Sequence, residues 1–262
     1  MKLELITHTP KGASKGNLLF VHGICTGAWI WDEHFLPFFA QHGYTAHAVS
    51  LRGHGQSEGA QNLPFYTLQH YTTDLHNTLD KLGTDKPLTL IGHSLGGAVV
   101  QSVLQTGGKV HAAALMASVP PWGLAHAAWR MAISTPLLFH EVTKMQTLGI
   151  ESTNPQTLRE GLFSPDAPAS VLTNFESKVQ NESRVIGAEL QGLRPFAPMP
   201  WQAPKMGIFG AANDKFIPAD EVLRTATYYG TEAHIIANMA HSMMLDTRWP
   251  AAAESLLTWL ES

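Results

Sequence analysis

The stretch Thr89-Leu90-Ile91-Gly92-His93-Ser94-Leu95-Gly96-Gly97-Ala98-Val99-Val100 constrains the fold more than any other part of the chain. Leu88 to Ile91 is a short apolar run of the kind found in buried strands, and it stops at Gly92. Ala98 to Leu104 then reads as a helix. Only a Gly-x-Ser-x-Gly pentapeptide separates the two. A strand-to-helix turn this short crowds its own flanks, so positions 92 and 96 need residues without a Cβ. The turn predicts a strained Ser94 whose hydroxyl projects above the sheet. The next N–H, that of Leu95, opens the helix and is free to donate to an anion.

Around this turn the chain alternates between strand and helix signals. Met1 to Thr7, Leu18 to Val21, Tyr44 to Val49, Val110 to Met116, Met206 to Phe209 and His234 to Ile236 read as further strands. Phe35-Leu36-Phe38-Phe39 marks one helix face. Leu68, Tyr71, Leu75, Leu79 and Leu82 recur at helical spacing before a stop at Gly83. Asp220 to Tyr228 and a segment from about Pro250 to Leu260 complete the helices. The fold class that follows is α/β: a mostly parallel central sheet with helices on both faces. Between Pro120 and Pro200 the alternation breaks, and nine of the sixteen prolines fall there, so helices in that stretch are short or bent. We read 1–119 and 203–262 as the core domain and 120–202 as a helical cap inserted into it.

Composition excludes several function classes. A formal charge of −4 gives no electrostatic case for nucleic acid or an anionic membrane surface. The one cysteine, Cys25, rules out an internal disulfide and fits a reducing compartment. No apolar window approaches ~18 residues, so no membrane span is expected, and the N-terminal segment reads as strand rather than signal peptide. The expected location is cytoplasmic. His-Glu-x-x-His and comparable clusters are missing among the fourteen histidines, so neither metal nor cofactor is expected.

Gly92-His93-Ser94-Leu95-Gly96-Gly97 resembles the nucleophile elbow of the α/β-hydrolase superfamily, whose members carry serine, acid and histidine in that chain order. Asp214, in the loop after the Met206–Phe209 strand, stands where that order needs the acid. His241, in the loop after the next strand, stands where it needs the base, and 27 residues accommodate the helix and strand between them. An acid after the preceding strand is closed off, because no Asp or Glu occurs between Lys86 and His140. Asp220 suits the first turn of a helix, His234 a mid-strand structural role, and Cys25 a buried thiol. Catalytic candidates are therefore Ser94, Asp214 and His241. A tetrahedral acyl intermediate needs two N–H donors, and Leu95 and Ile24 are the candidates. Gly23 lets the backbone approach the substrate closely.

The resemblance extends over His22-Gly23-x-x-x-Gly27-x-Trp29 and Arg52-Gly53-His54-Gly55-x-Ser57 to Asp214 and His241. It implies a small esterase or lipase, cofactor-free, acting on a small-molecule ester with an apolar acyl or aryl group. Trp122 and Trp129 are the candidate pocket residues of the cap. Ser50 departs from the pattern, since relatives usually carry Asp there. His22 to Trp31 also resembles the plant methylesterase and hydroxynitrile lyase branch. In the lyases a threonine follows the first histidine and a lysine follows the catalytic one, whereas here those positions are Gly23 and Ser242. Epoxide hydrolases and dehalogenases of the superfamily use Asp where Ser94 stands. Remaining alternatives are a cofactor-free oxygenase-like enzyme and a ligand receptor with a vestigial triad.

Overall fold

The computed structural model describes residues 1–83, 85–192 and 194–262. Seven strands, β1 (Leu5–His8), β2 (Asn17–Val21), β3 (Thr45–Val49), β4 (Leu88–His93), β5 (Ala112–Met116), β6 (Lys205–Ala211) and β7 (Ala233–Ile236), form one sheet in the order β1-β3-β2-β4-β5-β6-β7. All neighbours run parallel except β1, which pairs antiparallel with β3 at the edge. The helices are α1 (Trp29–Asp32), α2 (Phe35–Gln41), α3 (Leu68–Leu82), α4 (Leu95–Gln105), α5 (Ala125–Ser134), α6 (Pro136–Leu148), α7 (Pro155–Leu162), α8 (Ala169–Lys178), α9 (Ile186–Glu189), α10 (Ala219–Tyr229) and α11 (Trp249–Glu261).

Continuous apolar strands follow from a sheet covered on both faces. Along β2, Leu19 and Val21 pack under α3, α4 and α10, while Leu18 and Phe20 pack against Trp31, Phe35, Phe39 and Leu256 from α1, α2 and α11. The two cores share the sheet as their common wall. Between β5 and β6 the described chain adds five helices, α5 to α9, and no strand.

The strand order sets the position of the site. From β2 the chain moves outward to β3 and then returns to the other side of β2 as β4. At such a reversal the loops leaving adjacent strands diverge and open a crevice at their carboxyl ends. Here those loops begin at His22 and Ser94. Local strain collects at the same edge: Cys25, Ser94, Ala117 and Asn238 have positive φ, and they follow β2, β4, β5 and β7 respectively.

Candidate active site

Ser94 sits between β4 and α4 with φ 51° and ψ −116°, outside the regions that a residue with a Cβ favours. Close packing compels the conformation. A Cβ at Gly92 would collide with the Gly96 carbonyl, and one at Gly96 with the Val21 and His22 carbonyls of β2. Ser94 is pinned by its own backbone as well: its N–H donates to Met116 O at 3.1 Å, and its carbonyl accepts from Gly97 and Val119. The N–H of Leu95 begins the helix. Neither it nor the N–H of Ile24 donates to a protein acceptor among the described residues.

His241 follows β7 and lines the same cavity as Ser94. Its Nδ1 donates to Asp214 Oδ2 at 2.7 Å, leaving Nε2 as the nitrogen available to a reacting group. The other Asp214 oxygen accepts from the N–H groups of Phe216 (2.7 Å) and Ile217 (2.9 Å), so the carboxylate is held by three donors in a buried loop. Phe216 packs on the imidazole with ring centroids 4.8 Å apart. Among the described residues the Ser94 hydroxyl makes no hydrogen bond, and the space next to it is cavity.

Supporting groups that sequence reasoning missed surround these side chains. His93 Nε2 donates to the His241 carbonyl at 3.0 Å, since a carbonyl only accepts. Its Nδ1 is buried without a partner, and burial followed by the nearby His241 pushes its pKa well below the usual histidine range. His22 ties the loop after β2 to the loop after β3. Its Nδ1 donates to Gly23 O (2.7 Å) and its Nε2 accepts from Leu51 N (3.0 Å), which requires a neutral ring. Burial, with the neighbouring His54 adding to it, lowers its pKa to about 3. Asp246, fully buried, accepts from Ser164 N and Oγ and braces the His241 loop against the segment leading to α8.

A third buried carboxylate, Glu182, comes from the segment between α8 and α9. It accepts from Cys25 N (3.2 Å), His54 Nε2 (3.1 Å), Tyr71 OH (2.7 Å) and Ser183 N (2.7 Å). Burial works against its charge, yet these donors, His54 first, hold its pKa down to about 2. Burial likewise opposes a charge on His54, but the Glu182 carboxylate outweighs it and raises the pKa. Cys25 is therefore occupied through its N–H, and burial and then Glu182 push its thiol well above the usual range, as an inert thiol requires.

Gly23 is small for a reason other than backbone freedom, because its φ is not in the left-handed region. A Cβ there would stand 2.9 Å from His93 Nδ1 and 3.2 Å from Ser94 Cβ. Ser50 leaves no gap in the structure either. Its Oγ donates to Glu4 Oε2 (2.6 Å) and accepts from Ala28 N (2.8 Å), so a carboxylate reaches the loop from just before β1.

Neither tryptophan of the helical segment is among the walls of the cavities at Ser94. Trp129 is 62% exposed on α5, stacked with His126 and remote from the cavity walls. Trp122 donates from Nε1 to the buried Glu221 Oε2 at 2.9 Å and lies under the Arg224 guanidinium, so it serves the α10 interface. Met131 and Phe139 of the same apolar stretch do line a cavity beside Ser94. Asp220 pairs with Arg130 in the first turn of α10, and His234 stacks on Phe209. No group of three or more His, Cys, Asp or Glu among the described residues is arranged to hold a metal ion, and no helix among them is long and apolar enough to cross a membrane.

Residues 18–254 match the family model described as "Alpha/beta hydrolase family". The chain belongs to the alpha/beta hydrolase family. Among relatives of this hydrolase, it is 36% identical to epoxide hydrolase 2 of Siraitia grosvenorii over 34% of its own length and 28% of that protein's. It is 32% identical to methylesterase 3 of Arabidopsis thaliana over 32% of its own length and 31% of the relative's. The matched stretch thus spans about a third of these relatives. Among solved structures, the enol-lactonase of Burkholderia xenovorans superposes with a TM-score of 0.77 at 15% identity, covering 99% of this chain and 96% of that one. At that identity the likeness is one of hydrolase fold.

Proposed function

We propose that this hydrolase cleaves carboxylic esters through an acyl-enzyme formed on Ser94. The observation that carries the reading is the strained Ser94 at the end of β4, sharing a cavity with a His241 whose Nδ1–H is fixed by Asp214. A serine hydroxyl is a weak nucleophile until a base takes its proton. Ser94 Oγ attacks the acyl carbon and its proton passes to His241 Nε2, while Asp214 holds the ring and balances the imidazolium. Charge on the carbonyl oxygen falls to the N–H groups of Ile24 and Leu95. Collapse returns the proton from His241 to the departing alkoxide, and water then repeats the sequence to free the acid. The helical segment 120–202 acts as the cap over this site, and the one buried cysteine suits a reducing compartment.

Two positions separate this reading from cyanohydrin cleavage. Gly23 supplies no hydroxyl to hold a cyanohydrin, and Ser242 supplies no cation to receive cyanide. Serine at position 94 likewise argues against epoxide opening through an aspartyl ester. The methylesterase likeness supports ester chemistry. A fluorophosphonate is expected to label Ser94 alone, and wild type is expected to hydrolyse short-chain or aryl esters while leaving mandelonitrile intact. Label on another residue, or cyanide release lost in Ser94→Ala without any ester turnover, overturns the proposal.

A further inference from the structure

Two cavities meet at Ser94. One, of about 360 Å³, contains His241; the other, of about 290 Å³, contains Leu95 and Val119 and lacks His241. They share four walls: Ile24, Ser94, Met145 and Phe216. Phe216 packs on the His241 ring, and Met145 Sδ lies 3.6 Å from Cys25 Sγ, so both side chains shared by the two cavities are anchored to walls of the His241 cavity.

Resting on the ester reading above, we propose that the two cavities are separate arms for the two halves of the substrate. The His241 arm takes the alcohol and the Leu95 arm takes the acyl chain. The assignment follows from where the proton must go. Once Ser94 Oγ is bonded to the acyl carbon and the oxyanion points at Ile24 and Leu95, two substituents remain. The alkoxide oxygen must lie within hydrogen-bond reach of the imidazolium to be protonated as its C–O bond breaks. That places the alcohol on the side lined by His241. The acyl chain then leaves the reacting carbon the other way, into the arm that holds Leu95.

Each arm selects by its lining. Leu124, Ala127, Met131, Phe139, Val142 and Leu190 make the acyl arm mostly apolar, with neutral polar side chains such as Gln146 and Gln191 between them. Its one carboxylate, Glu182, already accepts from four donors and has nothing left for a polar acyl group. At about 290 Å³ the arm has room for an acyl chain well beyond acetyl. The alcohol arm is walled by Leu158, Leu162, Phe163, Leu172 and Phe175, with its charges on the exposed Glu151 and Glu176 and the half-buried Arg159. A methyl group leaves such an arm nearly empty. The substrate class is therefore an ester of a medium-chain aliphatic acid with a bulky apolar alcohol.

Two ester series test this: p-nitrophenyl esters of increasing acyl length, and acetates of alcohols from methanol to octanol and benzyl alcohol. Ala127→Phe fills the acyl arm and Leu172→Trp the alcohol arm; Met131→Ala and Leu172→Ala widen them, and thermal unfolding verifies that each variant is folded. Wild-type kcat/KM is expected to rise at least tenfold from methyl to octyl acetate. Ala127→Phe is expected to lower kcat/KM at least tenfold for the long acyl chains, with the ranking of alcohols kept. Leu172→Trp is expected to do the reverse, and the widening variants to shift each optimum to longer chains. Exchanged effects, or both filling variants acting on one series, overturn the assignment while fluorophosphonate still labels Ser94. An unlabelled Ser94 removes the ester reading itself, and this inference with it.

Discussion

Lowering the pH tests whether His22 is the neutral link between the loops after β2 and β3. Its ring accepts from Leu51 N and is buried beside His54, so its pKa stands at about 3 instead of the ordinary 6.5. The unfolded chain takes up a proton below about pH 6.5, whereas the folded chain resists until about pH 3. Stability contributed by this group is thus present above 6.5 and lost progressively as pH falls between the two values. At about pH 5 the gap is roughly 1.5 units, worth about 2 kcal/mol at about 1.4 kcal/mol per unit. Other groups titrate as well: His93 acts in the same sense, and His54, with its raised pKa, in the opposite one. His22→Gln isolates the term, because everything else titrates in both proteins. Urea unfolding at about pH 7.5 and about pH 5 gives the loss in each. The variant is less stable at both pH values, but its loss on acidification is expected to be smaller than that of wild type by about 2 kcal/mol. Equal losses within about 0.5 kcal/mol would refute a neutral buried His22.

Asp214→Asn is expected to lower kcat by about 10³–10⁴ with the fold kept, since the amide favours the wrong His241 tautomer; Asp220→Asn, measured beside it, changes little. Gly23→Ala presses a methyl on His93 and Ser94, and a displacement of about 1 Å costs about 10²-fold in kcat/KM; Gly12→Ala, with open space around it, is the steady-state kinetic control. Glu182→Gln removes the carboxylate that accepts from His54, Tyr71 and the Cys25 N–H, and breaking such a buried pair costs about 3–5 kcal/mol, read as a Tm drop of about 6–20 °C for a chain of this size. Trp129→Ala leaves Tm and the ester profile unchanged, because an exposed side chain away from such networks contributes within about 0.5 kcal/mol.

Much of the fold was legible because a sheet buried on both faces writes itself as short apolar runs. Leu18 to Val21 and Leu88 to Ile91 are β2 and β4 within a residue or two. The positions after those strands were legible too, since glycine at 23, 92 and 96 reports a backbone crowded on every side. Trp122 and Trp129 misled because apolar spacing shows that a face exists and not what covers it. Glu221, invisible as a partner at 99 residues' separation, claims Trp122, and Trp129 stays largely exposed beside His126. Glu182 and Asp246 left no pattern at all. Each is a single carboxylate in a segment without periodicity, and its importance comes only from the donors that folding gathers around it.

Glu4 reaches Ser50 from just before β1, and the hydroxyl passes the contact on to the Ala28 N–H, so positions 4 and 50 are interdependent. An aspartate introduced alone, as Ser50→Asp, sets a second anion against Glu4 Oε2, which already lies 2.6 Å from the residue at position 50. Removing Glu4 alone strips the Ser50 hydroxyl and the Gln56 N–H of their acceptor. Either step leaves the pair badly matched, whereas the paired exchange, Glu4→Ser with Ser50→Asp, keeps one carboxylate and one hydroxyl between the two positions. Consensus-guided engineering of this chain therefore has to treat positions 4 and 50 as one epistatic unit, although they stand 46 positions apart in the sequence.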